Sequence, residues 1–151
     1  MSTLRIEELS ARTIMAANNL TLKPGQEAFI APPSYAIAEA YYSPETEWPR
    51  VVLDGDKVVG FIRGHFDADA SQPEFQSCIW RIHIAAEAQG QGVGRFAVQS
   101  LAEEAKSRGF TRLTVMWEPG DEGPGEFFHA LGFVDIGQSR YGETIAELAL
   151  A

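Results

Sequence analysis

The chain has 151 residues, so we expect residues 1–151 to form one domain with its own core. A formal charge of −9 argues against non-specific nucleic-acid binding, which needs a basic surface. No apolar run approaches the roughly 18 residues of a membrane span, the N-terminus is not signal-like, and there is a single cysteine. These features predict a cytoplasmic protein without a membrane partner. Because Cys78 lies in an apolar run, we predict a buried structural thiol.

The N-terminal half alternates short predicted elements with turns. Apolar–polar alternation and β-branched runs predict strands, and Ser10 is suited to cap the first helix. Pro44 and Pro49 are expected to end the second helix. The sequence Asp-Gly-Asp-Lys at 54–57 is a strong hairpin signal between two strands. The predicted elements are strand 3–9, helices 11–18 and 34–42, and strands 50–53 and 58–62.

The C-terminal half predicts a strand–helix–strand unit followed by a helix and a hairpin. Apolar residues at i, i+4 spacing on the central helix, with Gly109 as its stop, give it one buried face. A right-handed crossover then makes the strands on either side of it parallel. The predicted elements are strand 75–85, helix 95–108, strand 111–117, helix 124–131 and strands 133–137 and 144–150. This order predicts an α/β fold with a mixed sheet.

A glycine-rich loop at 89–94, Gln-Gly-Gln-Gly-Val-Gly, joins the long apolar strand to the central helix. Glycines let the backbone approach a ligand closely, and the start of a helix favours negative charge, so the loop predicts a phosphate site. Gly92-x-Gly94-x-x-Ala97, with Glu118 after the next strand, also fits a dinucleotide fingerprint. Dinucleotide folds normally open with this unit and repeat it, whereas here it occurs once and late. A purely structural glycine turn is the other alternative.

Two motifs carry a resemblance to a known family. Gln89-x-x-Gly92-x-Gly94 resembles the pyrophosphate loop of the GCN5-related N-acetyltransferases (GNAT), whose pattern is Arg/Gln-x-x-Gly-x-Gly/Ala. The sequence at 127–133, Phe-Phe-His-Ala-Leu-Gly-Phe, resembles the second signature of that family, Phe-Tyr-x-x-Leu-Gly-Phe. Within the family, the chain looks most like bacterial spermidine/spermine N-acetyltransferase-like proteins. The segments that carry this looser match are 24–26, 29–31, 38–42, 59–61, 79–81, 119–121 and 142–143.

The resemblance implies a fold and a cofactor. The fold would be a mixed, mostly antiparallel sheet of about six to seven strands, with helices on both faces and a splayed central strand pair. The cofactor would be acetyl-CoA, with no metal. Loop amides would hold its pyrophosphate, and free backbone groups near Ile82 to Ile84 would pair with the pantetheine arm and polarise the thioester carbonyl. The implied cofactor-binding residues are Ile82, His83, Ile84, Gln89, Gly90, Gln91, Gly92, Val93, Gly94, Arg95, Asp121 and Phe128.

The implied activity is direct transfer of the acetyl group to the primary amine of a small molecule, and a polyamine is one candidate acceptor. Family members often form homodimers, so a homodimer is expected. An alkylamine is only about 0.1 % free base near neutral pH, so a proton acceptor is needed. His83 and Glu118 are the candidates, and His129, next to Phe128, is the third predicted catalytic residue. A core histidine and a solvated carboxylate are the alternative readings of the first two. The predicted acceptor-binding residues, for which ordinary packing or a solvated face is the alternative, are Tyr35, Glu39, Tyr42, Trp80 and Trp117.

The chain departs from the family at the position of the usual general acid. Alignment on Leu131-Gly132-Phe133 puts Phe128 where most members have a tyrosine, and a phenyl ring donates no proton. Losing a general acid typically costs about 10²–10⁴ in rate. The thiol of coenzyme A is a fair leaving group, which places the loss toward the low end. The competing hypothesis is therefore an acyl-CoA-binding or regulatory domain with weak or no transferase activity.

Overall fold

The computed structural model describes residues 3–20, 45–120 and 123–150. The predicted helix 34–42 lies outside these ranges, as do Tyr35, Glu39, Tyr42 and Asp121. No helix in the described ranges is long and apolar enough to cross a membrane. In chain order the elements are β1 (Leu4–Glu8), α1 (Ile14–Asn18), β2 (Glu47–Asp54), β3 (Lys57–Phe66), β4 (Ser77–Ile84), α2 (Val93–Ser107), β5 (Arg112–Trp117), α3 (Gly125–Ala130), β6 (Val134–Gln138) and β7 (Thr144–Ala149).

The seven strands form one sheet in the order β1-β2-β3-β4-β5-β7-β6. All neighbours are antiparallel except β4 and β5, which the α2 crossover makes parallel, as predicted. The β4–β5 ladder has two pairs, Cys78 with Thr114 and Ile79 with Val115. Beyond Ile79 the strands separate, and we call this gap between β4 and β5 the splay. The predicted α/β fold, with its mostly antiparallel sheet and splayed central pair, is confirmed.

A β-bulge lies where the splay begins. Arg63 of β3 pairs with Arg81 of β4, and Gly64 pairs with Ile79, so Trp80 is the extra residue on β4. A bulge bends its strand and redirects the side chain it carries. Trp80 therefore points to the same face of the sheet as Arg63, with which its ring makes a cation–π contact at 5.3 Å.

The two faces of the sheet carry different layers. On one face α2 buries the apolar stripe predicted from its i, i+4 spacing, namely Val93, Ala97, Leu101 and Ala105. On the other face a second apolar cluster joins α1 to β2 and β3 through Ala17, Val51, Leu53 and Phe61. Because strand side chains alternate between faces, Arg63 and His65 share the α1 face with Phe61.

Several predicted boundaries were wrong. Strand β2 begins at Glu47 and includes Pro49, which was expected to end the preceding segment. The pairing of β1 with β2 ends at Arg50, so the missing N–H of Pro49 costs no bond on that side. Helix α1 begins at Ile14 rather than residue 11, because the carbonyl of Ser10 accepts bonds from the N–H groups of Thr13 and Ile14 in a turn.

Strands β3 and β4 also differ from the prediction. Strand β3 continues to Phe66 because its polar residues Arg63 and His65 bond to Glu47 of the neighbouring strand β2. Residues Pro73–Phe75 form a 3₁₀ turn, so β4 starts later, at Ser77. The hairpin prediction was correct, since Gly55 takes a φ of +62° between β2 and β3. Cys78 is only 4 % exposed, and burial, assisted by the nearby Glu47, raises its pKa to about 12, which confirms a structural thiol.

Candidate functional site

The glycine loop lies at the carboxyl end of β4. Gly90 and Gly92 adopt φ values of +81° and +85°, which favour glycine, and a Cβ at either position would meet nothing within 4 Å. Backbone conformation, rather than crowding, therefore calls for glycine at both. The side-chain Nε2–H of Gln89 donates to the carbonyl oxygen of Ile84 at 3.0 Å and ties the loop to β4. Gly92 is the N-cap of α2, whose first turn holds no acidic side chain, so its N–H groups suit an anion.

A pocket of about 340 Å³ extends from this loop along β4 to the start of α3. It opens on the α2 face of the sheet, because Ile82 pairs with Ile62 and Ile84 with Gly60. Six residues of its lining are implied cofactor-binding residues: Ile82, Ile84, Gln89, Gly90, Gly94 and Phe128. The remaining lining residues, which the sequence did not indicate, are Gly123, Pro124, Glu126 and Phe127.

The packing of α2 against α3 gives Gly94 a distinct role. A Cβ at Gly94 would lie 2.8 Å from two ring atoms of Phe127, closer than real contacts allow. A larger residue there would have to displace the Phe127 ring, which is 36 % exposed, so Gly94 sets the position of that ring at the pocket. Phe128 is 2 % exposed and stacks on Trp117 with ring centroids 5.4 Å apart, so its ring is fixed where the pocket meets the core.

The other implied cofactor residues lie around the pocket rather than in its lining. Gln91 is exposed and its Nε2–H donates to the carbonyl of Glu87. Val93 is buried in the core, and Arg95 is exposed on the first turn of α2. His83 is 2 % exposed and pairs with Phe61, which places its side chain on the α1 face, away from this pocket.

The three predicted catalytic residues occupy different surroundings. His83 is buried within the sheet, and Glu118 is exposed just after β5. His129 is exposed on α3, where its Nε2–H donates to Asp135 Oδ1 at 2.6 Å. None of the three lines the 340 Å³ pocket. Trp117 is 8 % exposed and packs on the α2 face, whereas Trp80 lies on the opposite one.

A buried polar cluster that the sequence did not indicate lies on the α1 face beside the bulge. We call Glu47, Arg63 and His65 the Glu47 cluster. The Glu47 side chain is 1 % exposed, and its Oε1 accepts a bond of 2.6 Å from Arg63 Nε. Its Oε2 accepts bonds of 2.5 Å from the Thr46 hydroxyl and from His65 Nδ1. The only local signal is the polar alternation at 63 and 65 within an apolar strand.

A second pocket, of about 450 Å³, includes Met116 of β5, which alternation along β5 places on the α1 face. It is lined by Ser71, Gln72, Glu74, Phe75, Met116, Ser139, Arg140, Tyr141 and Glu143. Phe75 links this pocket to the bulge, because its ring contacts Trp80 with centroids 5.7 Å apart. Trp80 in turn contacts the ring of His65 at 5.0 Å. Two ring contacts through Trp80 thus connect a lining residue of this pocket, Phe75, to the Glu47 cluster.

Sequence comparison assigns the family. A family model described as the acetyltransferase (GNAT) family matches residues 15–133, more than three quarters of the chain. The chain belongs to this family. No curated protein sequence matches it significantly. The likeness to spermidine/spermine N-acetyltransferase-like proteins has no support among these matches and stays a prediction.

Solved structures share the fold at low sequence identity. The ribosomal-protein-S18-alanine N-acetyltransferase from Escherichia coli is 17 % identical over 98 % of this chain and 94 % of its own, with a TM-score of 0.69. The smu.2055 protein from Streptococcus mutans UA159 is 18 % identical over 97 % and 99 %, with a TM-score of 0.76. An aminoglycoside 6'-N-acetyltransferase complexed with coenzyme A is 16 % identical over 97 % of both chains, with a TM-score of 0.72. These identities support the fold alone.

Acetyl-CoA is the cofactor of the family, and the residues present fit it. The backbone of Gly90 and Gly92 carries no Cβ between its amides and an approaching pyrophosphate. The apolar side chains of Ile82 and Ile84 suit the alkyl part of a pantetheine arm. The free edge of β4 beyond Ile79 leaves N–H and C=O groups for the amides of that arm.

Proposed function

We propose that residues 1–151 form one acyltransferase domain that moves the acetyl group of acetyl-CoA to the primary amine of a small molecule in the cytoplasm. The observation that carries this proposal is the 340 Å³ pocket, which runs from the glycine loop along the part of β4 that no longer pairs with β5. It combines an anion site with a strand edge that β5 leaves open, the two features that a cofactor with a pyrophosphate and an amide-bearing arm needs.

Different groups of the chain would bind different parts of the cofactor, which supplies the thioester. The N–H groups from Gly90 to Gly94 would bind the pyrophosphate, and Arg95 in the first turn of α2 would add a positive charge. Ile82 and Ile84 would flank the arm, and a backbone N–H of β4 past the bulge would donate to the thioester carbonyl. Such a donor stabilises the negative charge that develops on the oxygen.

The acceptor would enter from the α1 face, because the body of the cofactor would occupy the α2 face. The 450 Å³ pocket on that side carries two carboxylates, Glu74 and Glu143, and one cation, Arg140, so its net negative charge favours an ammonium group. Trp80 lies beyond Phe75, between this pocket and the splay. A polyamine is one candidate acceptor, which rests on the sequence resemblance. Tyr35, Glu39, Tyr42 and Trp117 stay predicted acceptor residues.

Phe128 supports a second candidate function. Its buried ring lines the pocket but offers no proton to the departing thiolate. The chain would then bind acetyl-CoA as a regulatory domain and would transfer its acetyl group slowly or not at all.

One pair of measurements separates the two functions. Calorimetry with acetyl-CoA measures binding, and thiol release is followed over polyamines, amino acids and peptide amines. Amine-dependent thiol release, with stoichiometric formation of the acetylated amine, supports the transferase. Saturable binding without thiol release on any amine supports the binding domain. Absence of binding overturns both.

We also propose that the chain forms a homodimer through β6. This strand is one of the two edges of the sheet, and its residues Val134 and Ile136 are 64 % and 47 % exposed. An exposed apolar edge strand is a ready partner for a second copy of the same strand.

A further inference from the structure

We propose that His65, held by Glu47, is the group that accepts the proton of the acceptor ammonium, through one water molecule. This role rests on the proposed transferase function and adds to it a residue outside the three candidates that the sequence suggested. The geometry that points to it is a histidine–carboxylate pair on the acceptor side of the splay.

The hydrogen bonds of the Glu47 cluster set the tautomer of His65. A carboxylate oxygen only accepts, so the 2.5 Å bond to Glu47 Oε2 requires the proton to be on His65 Nδ1. In the neutral ring Nε2 then carries the lone pair. Nε2 makes no hydrogen bond within the described ranges, and the side chain is 18 % exposed, so water reaches the ring. A base oriented in this way by a buried carboxylate is a recurring catalytic arrangement.

Glu47 is itself held in place by its neighbours. Its two oxygens accept from Arg63, Thr46 and His65, and its side chain is 1 % exposed. The charged and titratable groups that face His65 in the described ranges are Glu47 on β2, Arg63 on β3 and Cys78 on β4. Because Arg63 and Glu47 pair with each other, the cluster has no net charge while His65 is neutral.

The position of His65 relative to the splay suits a relay through one water. His65 pairs with Cys78 on β4, one residue before the β4–β5 ladder ends, and its ring contacts Trp80 at the bulge. Strands lie about 4.8 Å apart and rise about 3.3 Å per residue, so the mouth of the splay is roughly 7 Å across the sheet from the axis of β3 and about 3–7 Å further along it. An imidazole side chain that leans toward Trp80, together with one bridging water, spans a separation of that order.

The proposed step conserves protons. The acceptor ammonium gives one proton through water to His65 Nε2, which frees the nitrogen lone pair. The C–N bond then forms at the acetyl carbon as the C–S bond breaks, and the second proton lost by the attacking nitrogen passes to the thiolate, which leaves as coenzyme A. His65 returns its proton to solvent, so the net products are the acetylated amine, coenzyme A and one proton.

The variant His65→Asn tests this role. The Asn side-chain amide can still donate to Glu47, whereas the basic nitrogen is lost. We expect kcat to fall about 10²–10³-fold with the KM for acetyl-CoA unchanged, and the acidic limb of the pH–rate profile to disappear. Added imidazole should restore part of the rate. His129→Asn removes the exposed histidine–carboxylate pair formed with Asp135, and the acidic limb should stay in place in this variant. Glu104→Gln, at the far end of α2, is the control variant whose rate and pH profile should match the wild type.

The outcomes distinguish this role from the proposed function. An active wild-type enzyme whose acidic limb survives in His65→Asn, or disappears in His129→Asn instead, overturns the role of His65 alone. A wild-type protein that releases no coenzyme A with any amine overturns the transferase and this role together. Glu47→Gln leaves Arg63 buried without a charge partner, so the activity of this variant is interpreted only if circular dichroism shows that the protein is folded.

Discussion

Gly92→Ala separates the backbone requirement of the glycine loop from its role in binding. Gly92 at the start of α2 and Gly109 after its end both have positive φ, +85° and +90°, and both have open space where a Cβ would lie. Gly109→Ala is therefore a matched control with the same strain at the opposite end of the same helix. Of the two, only Gly92 lies in the loop that is proposed to bind the pyrophosphate.

The expected magnitudes follow from that geometry. An L-residue in the left-handed region costs about 1–2 kcal/mol, partly offset by about 0.4–1 kcal/mol from a less flexible unfolded chain. Both variants should thus lose about 1 kcal/mol of unfolding free energy, or about 2–4 °C in Tm for a chain of this size. If Gly92→Ala turns one amide away from the phosphate, the lost charge-assisted bond of about 1.5–3 kcal/mol weakens acetyl-CoA binding about 10- to 100-fold.

Calorimetric titration with acetyl-CoA and thermal unfolding of both variants check this reasoning. Gly109→Ala should bind with wild-type affinity despite its lower Tm. Unchanged affinity in Gly92→Ala would refute the assignment of the pyrophosphate to this loop. An equal loss of affinity in both variants would show that general destabilisation, rather than amide geometry, controls binding.

Three further predictions concern other parts of the chain. Phe128→Tyr restores the hydroxyl that most family members have and should raise kcat, up to about 100-fold, in the thiol-release assay; an unchanged kcat would mean that another group already protonates the thiolate. Because burial raises the pKa of Cys78 from 9.0 to about 12, the folded state holds its proton more tightly than the unfolded state. The stability of the wild type relative to Cys78→Ala should therefore fall as pH rises from about 9 toward 12, as measured by denaturant unfolding, and a constant difference would contradict it. Ile136→Asp should convert the proposed dimer to a monomer in sedimentation equilibrium, and an unchanged mass would remove β6 from the interface.

Features that depend on near neighbours in the chain were predictable. The hairpin at 54–57 follows from a glycine that adopts positive φ, and the α2 stripe from i, i+4 spacing. The parallel pairing of β4 and β5 follows from the handedness of a strand–helix–strand crossover. The glycine loop was predictable for the same reason, since its backbone requirement at Gly90 and Gly92 is local.

Boundaries were less predictable because distant partners set them. Strand β2 runs through Pro49 because β1 stops pairing one residue away, which no signal near Pro49 reports. Strand β3 extends over Arg63 and His65 because a carboxylate 16 residues earlier accepts from Arg63. Polar residues in a strand normally indicate its exposed face, and only the folded sheet shows that Arg63 is buried and His65 partly buried.

The sequence by itself determined the family, the order of the described strands and helices and the position of the glycine loop, because each depends on a contiguous motif or on periodicity along one segment. Tertiary structure alone decided which side chains meet. It placed Phe127 against Gly94, put His83 on the face opposite the 340 Å³ pocket, and joined Glu47 to His65. These contacts depend on strand register and on a bulge at Trp80, where a shift of one residue would reverse the face of every side chain that follows.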